Sequence, residues 1–392
     1  MATHGAFVVD AAQYIIEPPD LWSKRVAAKH KDAAPKVVQA PDGGQAWSYE
    51  NGAWLRPMGL DTAAGHSPVH IKDHGYSYAD VRKGFADAKE RLADMRLDEI
   101  DAAAIYPTFG LDVRNIKDRD LHVACIQAYN DGAWDWCQAG DGKRLYPMAM
   151  LPSSGRDDML AELGRVLKKG FRGVVYSGWP NGGDAPVKED DTMFAQMQEA
   201  GAVLNILRGA PANADRTPTA PKRYIGANGA HVKAADPPLE MLLAQAASIK
   251  NTQIAWLVLT GITERFENLH CTMIDTGAGW IRTTGELLDW NYRYAQFYGM
   301  NTRLKYVPSD YVKRNFKATF KDERFVVVAR KDFGNQYLLW SSNYPNSTSS
   351  WPNSGRAIAE QLEGVPDNEK REILGETFGM WYGVKLPAEA AR

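Results

Sequence analysis

Short apolar runs alternate with longer amphipathic stretches along most of this 392-residue chain. Apolar runs bounded by Gly, Pro or Asp read as buried strands, and apolar positions recurring every three or four residues read as helices packed on one face. The pattern predicts strands over Phe7–Asp10, Asp101–Tyr106, Leu145–Leu151, Gly173–Tyr176, Ala202–Leu207, Cys271–Ile274 and Tyr337–Trp340. It predicts helices over Tyr78–Met95, Asp120–Gln138, Arg156–Lys169, Asp191–Ala200, Leu239–Ile262 and Ile281–Tyr298, with terminal helices over 354–383. Gly170 and Gly201 stand just past two of these helices, where a left-handed stop is common.

Repeated strand–helix units imply a parallel sheet, because parallel neighbours need a crossover connection. About eight units over this length predict an α/β fold, a single (β/α)8 TIM-barrel domain over 1–392. No GxGxxG follows the first strand, which argues against an open dinucleotide-binding sheet. Two segments stand apart. Residues 23–76 are rich in Gly, Pro, Ala and His and read as an irregular N-terminal insertion over the barrel mouth. Residues 209–236 are Pro/Ala/Gly-rich and too long for a bare connector, so they are a candidate lid. Barrel chemistry sits on the loops after strand C-termini. That directs attention to Asp10–Glu17, Tyr106–Thr108, Ser177–Trp179, Arg208, Asp275 and Ser341–Asn346.

Composition narrows the function classes. With 44% hydrophobic and 24% charged residues, the chain can bury a large core. A formal net charge of -2 supplies no basic surface for nucleic acid or membrane. Cys125, Cys137 and Cys271 are odd in number and widely spaced, which makes neither a disulfide framework nor a metal knuckle and predicts a cytoplasmic protein. MATHGAFVVDA lacks a basic, then apolar, leader, and no apolar run approaches the roughly 20 residues that span a bilayer.

Phrases in a fixed order point to a family. VVDAAQYIIEPPDLW, RLADMRLDEIDAAAIYP, IQAYNDGAWDWC, KRLYPMAMLP, GFRGVVY, SIKNTQIAWLVLTGITERFENLHCTMIDTGAGWI, LLWSSNYPNSTSSWPNS and EKREILGETFGMWYG run almost end to end. Together they resemble the amidohydrolase-2 group of the amidohydrolase superfamily, relatives of aminocarboxymuconate semialdehyde decarboxylase. The resemblance implies a divalent metal held by a His or Asp/His pair after the first strand, a His after a middle strand and an Asp after the last. Those positions carry Ala12 and Tyr14, Arg208, and Asn343, with Asn346 where a nearby His is usual. Ala and Arg cannot bind the ion, and a guanidinium at that spot repels it. The usual metal site is therefore expected to be absent and no cofactor is expected there.

Arg208, Tyr14, Asp10, Glu17, Asp275 and Asn343 are expected to converge at the mouth. One reading makes them an anion site, with Arg208 gripping a substrate carboxylate, Tyr14 and Asn343 hydrogen-bonding to it, and Asp275 or Glu17 as general base. In the other, Arg208 fills the vacated cation position and pairs with Asp10 or Asp275. His66, His70 and His74 recur every four residues, but Gly65, Pro68 and Gly75 argue for a loop rather than one helical face. With His231 they are the alternative ligands for zinc or another divalent ion at a relocated site. The three cysteines read as structural thiols, and no GxSxG elbow supports a nucleophilic serine among Ser341, Ser342 and Ser347–Ser350.

Three functions follow from the resemblance and the altered ligands. The first is a companion subunit of a metal-dependent hydroxylase or hydrolase, paired with a paralogous, ligand-intact barrel; the two related barrels of the α-aminoisobutyrate hydroxylase system are similar. Aromatic helices such as AWDWC and LLDWNYRYAQFY could form that interface or a homodimer. The second is a metal-independent hydrolase or decarboxylase of a small carboxylate, with Arg208 as clamp. The third is a binding protein for a small acid.

Overall fold

The computed structural model describes residues 5–41, 43–207, 224–225, 231–232, 252–295, 297 and 302–387. In chain order the strands are β1 (Val9–Ile15), β2 (Lys36–Gln39), β3 (Gln45–Tyr49), β4 (Trp54–Pro57), β5 (Ala102–Pro107), β6 (Leu145–Pro147), β7 (Ala149–Met150), β8 (Gly173–Val175), β9 (Val203–Leu207), β10 (Tyr224–Ile225), β11 (His231–Val232), β12 (His270–Ile274), β13 (Phe316–Phe320) and β14 (Leu338–Trp340). The helices are α1 (Ala88–Leu97), α2 (Arg119–Gly140), α3 (Arg156–Lys169), α4 (Asp191–Ala200), α5 (Thr252–Leu259), α6 (Ile262–Arg265), α7 (Trp280–Ala295), α8 (Pro308–Asn315), α9 (Arg324–Phe333), α10 (Ser354–Gln361), α11 (Asp367–Arg371) and α12 (Thr377–Tyr382).

The barrel strands pair in parallel as two sheets, β1-β5-β6 and β14-β13-β12-β9-β8-β7. Residues 145–150 carry the chain from one sheet to the other as β6 and β7. At the opposite seam, backbone bonds join the last strand's loop to the first strand: Asn343 N donates to Ala12 O (3.2 Å) and Tyr14 N to Tyr344 O (2.7 Å). The fold is the expected (β/α)8 barrel. Its strands are buried on both faces, as parallel strands covered by helices must be. β5 reads AAAIYP and every residue in it is buried.

Local chemistry fixes the helix ends. Asp87 accepts from the Lys89 and Glu90 amides at the start of α1, and Asp118 from the Leu121 amide at the start of α2. Gly170 and Gly201 end α3 and α4 in the left-handed region (φ +112° and +61°), as predicted. α12 closes the N-terminal end of the barrel. Tyr382 OH donates to Asn205 Oδ1 (2.6 Å), Trp381 Nε1 donates to Thr272 Oγ1 (3.0 Å), and the Trp381 ring stacks on His270 at 3.7 Å.

The structure departs from the sequence expectations in three places. β13 has no predicted counterpart, because FKATF places Lys317 and Thr319 among its buried positions and so breaks the apolar run. The helix predicted from Tyr78 begins only at Ala88, with a 3-10 turn at Lys83–Phe85 before it. The 23–76 segment is not irregular throughout, since β2, β3 and β4 form an antiparallel meander. Its core, Ala46, Trp47 and Tyr49, is buried, and the pattern was hidden by short strands set among turn residues. Most of the 209–236 segment lies outside the described residues. Within it β10 and β11 pair antiparallel, Tyr224 opposite Val232, and β10 lies against β4.

A candidate active site at the barrel mouth

β1 carries a register shift between Asp10 and Gln13. This bulge turns the segment that leads to Tyr14, a common device beside functional sites. Asp10 supports it from behind. The fully buried carboxylate accepts from Ser342 N (2.9 Å), Ser342 Oγ, Gln13 Nε2 (2.9 Å) and Ala12 N (3.2 Å). Burial raises its pKa and these bonds oppose the rise. Asp10 thus staples the first strand to the loop after the last. Gln13 extends the network outward: Arg91, also fully buried, donates to Gln13 Oε1 (3.1 Å), Tyr14 O (2.8 Å) and Gly84 O (2.7 Å).

Glu17 braces the neighbouring loop. It accepts from the amides of Thr108 (3.0 Å), Phe109 (2.9 Å) and Gly110 (2.8 Å) at the start of the 3-10 segment Phe109–Asn115. Burial pushes its carboxyl up to about 7 against the pull of those three donors.

Above these braces opens a cleft of about 120 Å³, lined by Tyr14, Arg56, Asp61, Pro107, Thr108, Leu111, Asp275, Asn343 and Asn346. Three predicted site residues, Tyr14, Asp275 and Asn343, come together there. Asp10 and Glu17 do not line it; their carboxylates hold the main chain that does. Asp275 and Asn343 both take left-handed backbone conformations (φ +54° and +63°) at strand C-termini. The Asp275 turn is held by its own amide on Thr319 Oγ1 (2.8 Å), and Asn343 Nδ2 donates to Thr348 Oγ1 (2.6 Å). Ala12 is buried and its methyl joins the barrel core.

The insertion supplies a wall that sequence reasoning missed. Arg56, on β4, reaches Asp112 (2.6 Å) and Asp61 and donates to Thr108 O (3.2 Å). Its burial disfavours the charge, but the two carboxylates more than restore it. Thr108 is 4% exposed and its hydroxyl has no hydrogen-bond partner among the described residues. Nothing in the sequence pairs Arg56 with the loop after β5, 50 residues on; the meander has to fold before they meet.

Arg208 lies outside the described residues, directly after Leu207, which pairs with Ile274 of β12. The side chain of His231 lies outside them too. His66 and His70 are exposed, the first with its ring 5.3 Å from Tyr76, and His74 pairs with Asp73. Only a 3-10 turn, Pro68–His70, interrupts the loop that carries them, so their spacing aligns no common helical face. Cys125, Cys137 and Cys271 are buried free thiols, and burial raises each pKa.

An amidohydrolase family model matches residues 63–377. The chain belongs to the amidohydrolase family. Solved structures agree on the fold. An amidohydrolase of Mycobacterium avium subsp. paratuberculosis K-10 superposes with a TM-score of 0.72 at 17% identity, covering 97% of this chain and 98% of that one. The 5-carboxyvanillate decarboxylase of Sphingomonas paucimobilis gives 0.66 at 17% identity, covering 97% and 99%. A dihydroxybenzoic acid decarboxylase of Polaromonas sp. JS666, with bound manganese and the inhibitor 2-nitroresorcinol, gives 0.62 at 14% identity, covering 96% and 97%. No curated protein matches the chain.

The manganese of such relatives sets a test for this amidohydrolase. Among the described residues, no three His, Cys, Asp or Glu side chains group as ion ligands. Among the described residues, the cleft wall presents no imidazole or thiolate; its carboxylates are Asp275 and Asp61, the latter paired with Arg56. The described lining by itself supplies no histidine-based ligand set of the kind that holds a catalytic divalent ion. No helix among the described residues is long and apolar enough to cross a membrane.

Proposed function

We propose that this amidohydrolase binds a small carboxylic acid in the mouth cleft and acts on it as a lyase, by decarboxylation, without the metal cradle of its relatives. The carrying observation is the pair Asp275 and Asn343, both left-handed at strand C-termini and both on the cleft wall with Tyr14. Non-glycine residues held in that region cluster where a site over-determines the backbone. In this reading Arg208 grips the substrate carboxylate, while Tyr14 and Asn343 fix the rest of the molecule by hydrogen bonds. Decarboxylation breaks the bond from carbon to carboxylate and releases CO₂, and a proton taken up from water and relayed by Asp275 takes its place on carbon. Tyr14, Pro107 and Leu111 give the cleft flat and apolar walls suited to a ring. The names of two structural relatives, decarboxylases of aromatic acids, support that substrate class.

The test is CO₂ release from 5-carboxyvanillate and dihydroxybenzoates by the purified chain in excess chelator, beside Asp275→Asn and Arg208→Ala. Turnover that survives chelation and is lost in both variants supports the reading. Turnover that appears only on adding manganese refutes its metal-free part, and neither binding nor turnover refutes the whole.

A second reading, the companion subunit, is favoured by one feature. The seam bonds Asn343 N to Ala12 O and Tyr14 N to Tyr344 O join the first strand to the loop after the last, where the resemblance places metal ligands and this chain carries Ala12, Tyr14 and Asn343. Activity of a ligand-intact paralogous chain that depends on this one would decide for it.

A further inference from the structure

Thr108 is the N-cap of the 3-10 segment Phe109–Asn115, a position where a threonine oxygen ordinarily accepts from an amide of the first turn. Here its side chain caps nothing. The amides it would serve already have acceptors. Phe109 N donates to Glu17 Oε2 (2.9 Å), Gly110 N to Glu17 Oε1 (2.8 Å) and Leu111 N to Thr108 O (3.3 Å). The buried Glu17 has thus taken over the cap and left the threonine hydroxyl spare. The main chain of Thr108 is fixed as well, its amide on Glu17 Oε1 (3.0 Å) and its carbonyl on Arg56 Nη1 (3.2 Å).

The residue is 4% exposed and lines the mouth cleft, and its Oγ1 is bonded to nothing among the described residues. A buried hydroxyl without a partner opposes folding, so a ligand that pairs with it recovers that loss. Turning about Cα–Cβ to meet the ligand breaks no hydrogen bond. We propose that Thr108 is a specificity residue of the cleft, whose hydroxyl pairs with a ring hydroxyl of a substrate that carries a single carboxylate. This rests on the reading of the cleft as a site for a small carboxylic acid. A hydroxyl both donates and accepts, so it pairs with another hydroxyl in either sense. Pro107 and Leu111, beside Thr108 in the lining, leave the ring itself in apolar surroundings. A second carboxylate finds no counter-charge in this corner. Arg56 is the cation of the described lining, and its Nη1 and Nη2 are spent on Asp112 (2.6 Å) and Asp61. Arg114, outside the lining, is drawn to the same Asp112. Asp61 and Asp275 in the wall repel an anion. The substituent that meets Thr108 is therefore neutral.

Titration calorimetry of the purified full chain with benzoate, the monohydroxybenzoates and benzene-1,3-dicarboxylate tests this. At least one hydroxybenzoate should bind roughly three- to ten-fold tighter than benzoate, and the dicarboxylate should bind more weakly than that isomer. In Thr108→Val the ratio of the two Kd values should fall to within about two-fold of unity. Thr108→Ser keeps the hydroxyl and should keep the ratio, which a merely structural role for Thr108 does not require. A wild type without the preference overturns the proposal, as does a ratio that survives Thr108→Val or a dicarboxylate as tight as the best hydroxybenzoate. In each of these cases the acid-binding reading still stands. Binding of none of the acids overturns both. Should Thr108→Val fail to fold, Thr108→Ala gives the same comparison.

Discussion

Glu17→Gln isolates a charge that braces the candidate site. Glu17 is fully buried, and its carboxylate accepts from the main-chain amides of Thr108, Phe109 and Gly110. Its pKa rises from an ordinary 4.5 to about 7 because burial outweighs the backbone amides that donate to it, those three and its own. The folded chain therefore holds a proton between pH 4.5 and 7 that the unfolded chain has released. The stability that Glu17 contributes is whole below 4.5, falls through that window and is flat above 7. A shift of this size corresponds to about 3 kcal/mol. Gln cannot titrate, so Glu17→Gln should lack this slope. It keeps an oxygen for two of the amides and loses the third bond, at a pH-independent cost of about 1 kcal/mol. Asp98 is also raised to about 7 by burial and contributes a slope of the same sign. Taking the difference between variant and wild type removes that background. Urea unfolding of both proteins from pH 4.5 to 8 measures it. The difference should move in the variant's favour by about 3 kcal/mol as pH rises from 4.5 to 7. A difference that stays constant within about 0.5 kcal/mol would refute the claim that burial wins over the three amides.

Other consequences are as direct. Arg91→Met strands the carbonyls of Gly84 and Tyr14 and the Gln13 side chain, so it should cost roughly 3 kcal/mol or more; a loss under about 1 kcal/mol in urea would show that water replaces the guanidinium. Thr108→Val removes a buried hydroxyl that has no partner among the described residues, and its melting temperature should stay at or above that of the wild type. A marked drop would reveal a hidden partner for that hydroxyl. Lys317 is buried, donates to Gln336 O at 2.5 Å and sits 4.2 Å from the Trp381 ring, and burial lowers its pKa from 10.5 to about 8. The unfolded chain then binds the extra proton, so wild-type stability should rise between pH 8 and 10.5, and Lys317→Met should flatten that rise.

Much of the candidate site was legible because barrels carry chemistry on loops after strand ends. Tyr14, Asp275 and Asn343 each follow or end a strand recognisable by its apolar run, and each lines the cleft. Asp10 and Glu17 occupy equally suggestive positions, yet their carboxylates face inward onto main-chain amides. No local pattern tells a carboxylate that faces a cleft from one that braces a loop, since partners 332 and 91 residues away decide it. Arg56 and Asp61 were missed for the converse reason. They belong to a segment whose turns mask its strands, and only the folded meander carries them to the mouth.

The sequence by itself determined the class of fold. Alternating apolar runs and amphipathic stretches demand parallel strands with helical crossovers, and Gly170 and Gly201 end their helices by backbone conformation alone. It also determined what stands where the resemblance places metal ligands, because the methyl of Ala12 offers no ligating side-chain atom in any environment. Tertiary structure decided the rest. It admitted β13 to the barrel despite Lys317, whose amine finds a backbone carbonyl and an aromatic face only in the closed fold. It set the first strand against the last through Asp10 and Ser342, and it gave the cleft the Arg56 wall. Periodicity is local and survives in the sequence, whereas burial, pairing and pKa depend on neighbours that the chain acquires only by folding.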